Sequence, residues 1–187
     1  MDVQSEVTRK ALRKITAALE GFGHKPVVIG SLAQQAWGST REAQEVELLT
    51  PSGEAHREAI FSAARGEGLQ QAPPAPGVAG LRLRYADPKT GGASSVALLE
   101  SSTPFHKQVI GRAQQRIVLE IQLIVATCED VILFCAGSSL AADRQSIVQL
   151  LRCNAGRIDA PYLKREAEAS GVFATLKSAW QEAKQQG

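Results

Sequence analysis

The stretch Val27-Val28-Ile29-Gly30-Ser31-Leu32-Ala33-Gln34-Gln35-Ala36-Trp37-Gly38 decides the fold. Its three β-branched residues read as a short strand. Leu32, Ala33, Ala36 and Trp37 then recur at helical spacing, and Gly38 can end that helix. The order is strand, tight turn, helix. A strand that delivers Gly30-Ser31 onto a helix start leaves backbone N–H groups unpaired, and phosphate is the natural ligand for them. Downstream, Glu45-Val46-Glu47-Leu48-Leu49 alternates acidic and apolar residues, as a half-buried strand does. Both carboxylates therefore share one face, where they could hold a hard divalent cation such as Mg²⁺ against phosphate oxygens.

Working outward, Val7, Ala11, Leu12, Ile15, Ala18 and Leu19 form one stripe of an opening helix that Gly21 and Gly23 close. After the acidic strand, Ser52 is placed as the N-cap of a helix carrying Ala55, Ala59, Ile60, Ala63 and Ala64, ended by Gly66 and Gly68. Residues 70–80, with Pro73, Pro74 and Pro76, are expected as a loop that cannot run inside a sheet. Leu81 to Tyr85 alternates, and the turn at 89–92 leads into a partner strand over 95–99. Thr103-Pro104 caps and opens the next helix, with Phe105, Val109, Ile110 and Ala113 inward. Residues 116–125 read as one last apolar strand.

From Thr127 the pattern is helical, over 128–136, 140–153, 161–169 with Asp159 as cap, and 173–184. This gives an α/β chain with a core over residues 1–126 and a helical part over 127–187.

Composition narrows the function. The 187 residues are 44% apolar and 21% charged with a net charge of +2, which suits a globular protein and predicts no extended DNA-binding surface. No apolar run approaches the roughly 20 residues that cross a bilayer, and the opening residues lack the apolar centre of a signal peptide. A cytoplasmic protein without a membrane partner is expected. Cys128, Cys135 and Cys153 form no CxxC pair and read as small buried apolar residues. His24, His56 and His106 lack metal-ligand spacing, and neither a P-loop nor a catalytic triad is legible.

Taken in order, the motifs resemble a known family. Residues 28–41 followed by 45–49 look like the nucleotidyltransferase fold of the polymerase-beta superfamily, in its abortive-infection, toxin-type (AbiEii-like) branch. The likeness continues through Val96 to Leu99, Phe105 to Ala113, Thr127-Cys128-Glu129-Asp130, Asp143 with Ile147, and Tyr162-Leu163. It implies a small mixed sheet flanked by helices and followed by a helical part. It also implies that Gly30, Ser31 and Arg41 contact a nucleoside triphosphate, and that Glu45 and Glu47 act as catalytic metal ligands for Mg²⁺.

The sequence departs from the family pattern at its acids. Glutamates stand where aspartates are expected, and the third acidic position falls on Ala97. Glu100 should lie on the opposite strand face, Ser95 is only a neutral ligand, and a carboxylate from elsewhere, for instance Asp87 from the neighbouring strand, could replace the third. The expectation is a degenerate member that binds nucleotide or a partner macromolecule with weak or lost transfer. The alternatives are a working transferase that moves a nucleotide to a protein or tRNA, and a structural or antitoxin-like interaction module.

Overall fold

The structure is a computed structural model that describes residues 3–23, 25–43, 45–51, 56–73, 80–138 and 141–185. Its element order is α1 (Val3–Glu20), β1 (Val27–Ile29), α2 (Gly30–Ala36), β2 (Glu45–Thr50), α3 (Arg57–Gly66), β3 (Leu69–Gln71), β4 (Leu81–Ala86), β5 (Ala93–Glu100), α4 (Pro104–Arg112), β6 (Gln114–Val118), β7 (Ile121–Val125), α5 (Cys128–Ala136), α6 (Ala141–Cys153), α7 (Ala160–Ala169) and α8 (Phe173–Gln185). The strands form one mixed sheet in the order β3-β4-β5-β2-β1-β7-β6. β2 runs parallel to β5 and β1 parallel to β7, while every other pairing is antiparallel. This is the mixed sheet flanked by helices that the sequence predicts.

Strand alternation sorts the sheet into two faces. Val46, Leu48, Val96, Leu98, Leu81, Leu83 and Tyr85 are buried on one of them, under α1, whose Val7, Ala11, Leu12, Ile15 and Leu19 face inward. Glu45, Glu47, Ser95, Ala97, Arg82 and Arg84 occupy the other face, beside α2. Among the helices from Cys128 onward, α5 packs back onto α2, and the others pack around α5 and α6. There the Trp37 Nε1–H donates to the Ala126 carbonyl at 2.8 Å, and the Asn154 amide donates to the Trp37 carbonyl at 2.8 Å.

The helix starts read from sequence are found where side-chain oxygens cap them. Thr103 accepts from the His106 N–H, Thr127 from the Asp130 N–H and Asp159 from the Tyr162 N–H. Other expectations are corrected. Leu69–Gln71 is not loop but an edge strand ending just before the prolines, where a single buried residue, Leu69, holds it to the core. The run 116–125 is a hairpin rather than one strand, because Leu119 and Glu120 turn the chain with φ of 48° and 61°. Cys153 is exposed, unlike Cys128 and Cys135, whose thiols burial pushes up to about 12. Ser52, Ala55, Pro74, Pro76, Leu140 and His24 lie outside the described residues. No helix among the described residues is long and apolar enough to cross a membrane.

Candidate active site

The turn from β1 into α2 meets β2 side on. Gly30 has φ of +62°, and a Cβ built on it would fall 1.6 Å from Glu47 Oε2. Only glycine leaves room there for the carboxylate. The Ser31 backbone N–H donates to the same oxygen at 3.3 Å. Gly30 and Ser31 are thus brought into contact with Glu47, which lies 16 residues beyond Ser31 in the chain. Burial pushes the Glu47 carboxyl above its ordinary value. The nearby negative charges of Glu45 and Asp143 add to that, while the Ser31 N–H and the Arg41 guanidinium oppose it.

Glu45 lies two residues back on the same face of β2, and its partner is Arg82 of β4. The Arg82 Nε and Nη2 both approach Glu45 Oε1 at 2.9 Å. Arg41 follows α2 in a short loop held by Gln149 of α6, whose side-chain oxygen accepts from the Ser39 hydroxyl and the Thr40 N–H. The Arg41 guanidinium does not stand free for a ligand: its Nη1 sits 2.7 Å from Asp143 Oδ1 on α6. Asp143, expected only as a helix residue, therefore belongs to the same charged neighbourhood.

Ala97, which the resemblance puts at the third acidic position, brings no carboxylate to this face. Ala97 is paired with Glu47 in the parallel β2–β5 register, with Arg82 as its partner on the other side. Glu100 lies on the opposite face, as expected, and pairs with Arg57 at 3.0 Å. Asp87 does not supply the missing carboxylate. It shares the odd-numbered parity of Leu81, Leu83 and Tyr85 on the α1 side, where it accepts from Lys10 at 2.8 Å and from the Thr90 hydroxyl at 3.2 Å.

Whether these residues fit Mg²⁺ can be judged from their donors. The ion asks for oxygens in near-octahedral array at about 2.0–2.1 Å. Here one carboxylate oxygen of Glu45 already carries two N–H groups of Arg82, one of Glu47 carries the Ser31 N–H, and Ala97 brings none. Among the described residues no three His, Cys, Asp or Glu side chains are grouped to hold a metal ion. The residues present do not fit the ion.

The fold has solved counterparts. The chain superposes on an antigenic nucleotidyltransferase-like protein from Paracoccidioides brasiliensis with a TM-score of 0.58 at 12% identity, over 95% of this chain and 91% of that one. The antibiotic-resistance factor ANT(2'')-Ia matches with a TM-score of 0.57 at 13% identity, over 100% and 98% of the two chains. The lincosamide antibiotic adenylyltransferase LnuA, solved with lincomycin bound, matches with a TM-score of 0.53 at 12% identity, over 77% and 96%. The chain has a nucleotidyltransferase-type fold. No protein-family model and no curated protein sequence matches it.

Arg82 is the residue of this face that sequence reading passed over. It sat in a strand whose alternation was plain, but its partnership with Glu45 depends on β5 lying between β4 and β2, which no local pattern encodes.

Proposed function

We propose that this protein is a degenerate nucleotidyltransferase-like protein that binds a nucleoside triphosphate, or a macromolecular partner, beside Gly30, Ser31 and Arg41, and transfers nucleotides weakly or not at all. The observation that carries the reading is Ala97. It occupies the register position next to Glu47, so β5 brings no third carboxylate there to act with Glu45 and Glu47 or to take a proton from an attacking hydroxyl. The ordered motifs from Gly30 to Tyr162 support placing the protein beside the abortive-infection, toxin-type branch. The neighbouring structures that act on antibiotics share its fold at low identity and support nucleotide chemistry as its ancestry.

In this reading Arg41 exchanges Asp143 for a phosphate, since its forked donors suit either oxyanion. Glu45 and Glu47 shape the floor of the site. The test is a melting series with each of four nucleoside triphosphates, paired with a labelling assay using Mg²⁺ or Mn²⁺. The expected result is a raised melting temperature with at least one triphosphate, because a ligand specific to the native state stabilises it, and no label on the protein or on added tRNA. Labelling that Glu47→Ala stops would overturn the degenerate reading, and the absence of any melting shift would overturn nucleotide binding.

A further inference from the structure

The charged row across β4, β5 and β2 carries more than the loss of a ligand. We infer that the Arg82 guanidinium, bound to Glu45 beside Glu47, is the resident cation of this face, held over Ala97 in the space that a third acid and its divalent ion would need. The inference rests on the proposed reading of this face as the nucleotide site and deepens it.

Strand spacing supplies the first argument. Neighbouring strands lie about 4.8 Å apart, so the β4 and β2 backbones are separated by roughly twice that. Arg82 and Glu45 can close the gap only by running over β5, which lies between them. The β5 side chains on that face are Ser95 and Ala97, among the smallest available, and Ala97 is the cross-strand partner of Arg82 itself. A longer acidic side chain at 97 would stand in that path and would bind the guanidinium in place of Glu45.

The second argument is charge and geometry. Nε and Nη2 both address Glu45 Oε1, a two-donor grip available to arginine and not to lysine. Among the described residues Glu45 is the one carboxylate that Arg82 engages. A guanidinium keeps its charge at every physiological pH and, being covalently attached, cannot be removed by chelators. A divalent ion entering here has to displace it and then manage with two carboxylates, one of which stays tied to the Ser31 N–H. Ala97 and Arg82 form one unit, in which the small residue admits the long one.

The test uses Mn²⁺ alone, titrated into the full chain and followed by the electron paramagnetic resonance of the free ion. The quantity read is the uptake that Glu45→Gln abolishes. For the natural chain it is expected to be nil. The double variant R82A/A97D removes the guanidinium and restores a third carboxylate, and it should take up one equivalent, with affinity raised at least about 100-fold. Uptake of that kind by the natural chain would overturn the inference, and so would a folded R82A/A97D that takes up none.

If the double variant does not fold, the natural chain decides the matter. The Arg82 Nε–H resonance, assigned by its loss in R82K, should keep its position when Mg²⁺ is added, and a shift that E45Q removes would overturn the proposal. No nucleotide enters any arm, so failure here is distinct from failure of nucleotide binding.

Discussion

The molecule contains two acidic pairs that look alike in sequence and are held quite differently. Glu129 and Asp130 open α5 and are buried. Asp130 accepts from the Tyr162 hydroxyl at 2.6 Å and from the Thr127 hydroxyl at 2.7 Å. The Arg112 Nε lies 3.5 Å away, with its guanidinium stacked over the Tyr162 ring at 3.6 Å. Glu129 accepts the Asp159 N–H at 2.8 Å. These donors come from α4, α7 and the residues before α5 and α7, so the pair ties the helical part together. Glu45 and Glu47 sit on a half-open face and are held by Arg82 and by one backbone N–H. The acids that tie the helices together gather donors from several elements, whereas those of the proposed site have fewer donors and keep part of their surface open.

Four measurements would break or sharpen that contrast. The largest effect belongs to Asp130→Ala, which takes the acceptor from the buried Tyr162 and Thr127 hydroxyls and leaves the half-buried Arg112 only Glu129, 3.8 Å away. Urea unfolding should show a loss of at least about 2 kcal/mol, since each buried donor left unsatisfied costs about 1–3 kcal/mol. Next comes Gly30→Ala, where the left-handed backbone alone costs about 1–2 kcal/mol. The added methyl also collides with Glu47, so the nucleotide-dependent melting shift should vanish together with part of the stability. Glu45→Gln should cost less than about 1 kcal/mol, because its partner Arg82 is partly solvated. A loss as large as that of Asp130→Ala would erase the distinction between the two pairs.

The smallest effect is a slope with pH. Burial raises the Asp130 carboxyl above its ordinary value, against the opposing hydrogen bonds from Tyr162 and Thr127. Between the unfolded and folded pKa values the native state keeps a proton that the unfolded chain has shed, so this contribution falls as pH rises through that interval. Comparing the natural chain with Asp130→Asn by urea unfolding, from acid upward, should show the natural chain losing stability relative to the variant. A difference that is flat or rises with pH would contradict the burial argument.

Much of this was legible in the chain because the deciding signals are local. The Val27–Ile29 run, the glycine after it, and the caps at Thr103, Thr127 and Asp159 each act within one turn of where they stand. Parity along β2 likewise put Glu45 and Glu47 on one face, and parity along β5 put Glu100 opposite Ala97, while the resemblance set Ala97 beside the two glutamates. What escaped needed information from elsewhere. The turn at Leu119-Glu120 has no glycine or asparagine to announce its positive φ. Gln70 and Gln71 are exposed and give β3 no apolar alternation to read. The ion pairs Arg82–Glu45 and Arg41–Asp143 join residues whose proximity follows from strand order and from how α6 docks.

The hollow at Gly30 has a consequence for how this surface can change. The extra methylene of Glu47 and the missing methyl of Gly30 are complementary halves of a single fit, since the carboxylate fills the volume that a side chain at position 30 would claim. Shortening Glu47 to aspartate draws that group back along β2 and opens a gap beside α2, which a methyl at 30 could partly fill. The two positions are therefore expected to vary as a couple, and an ancestral pairing at one would be read most clearly from the residue found at the other.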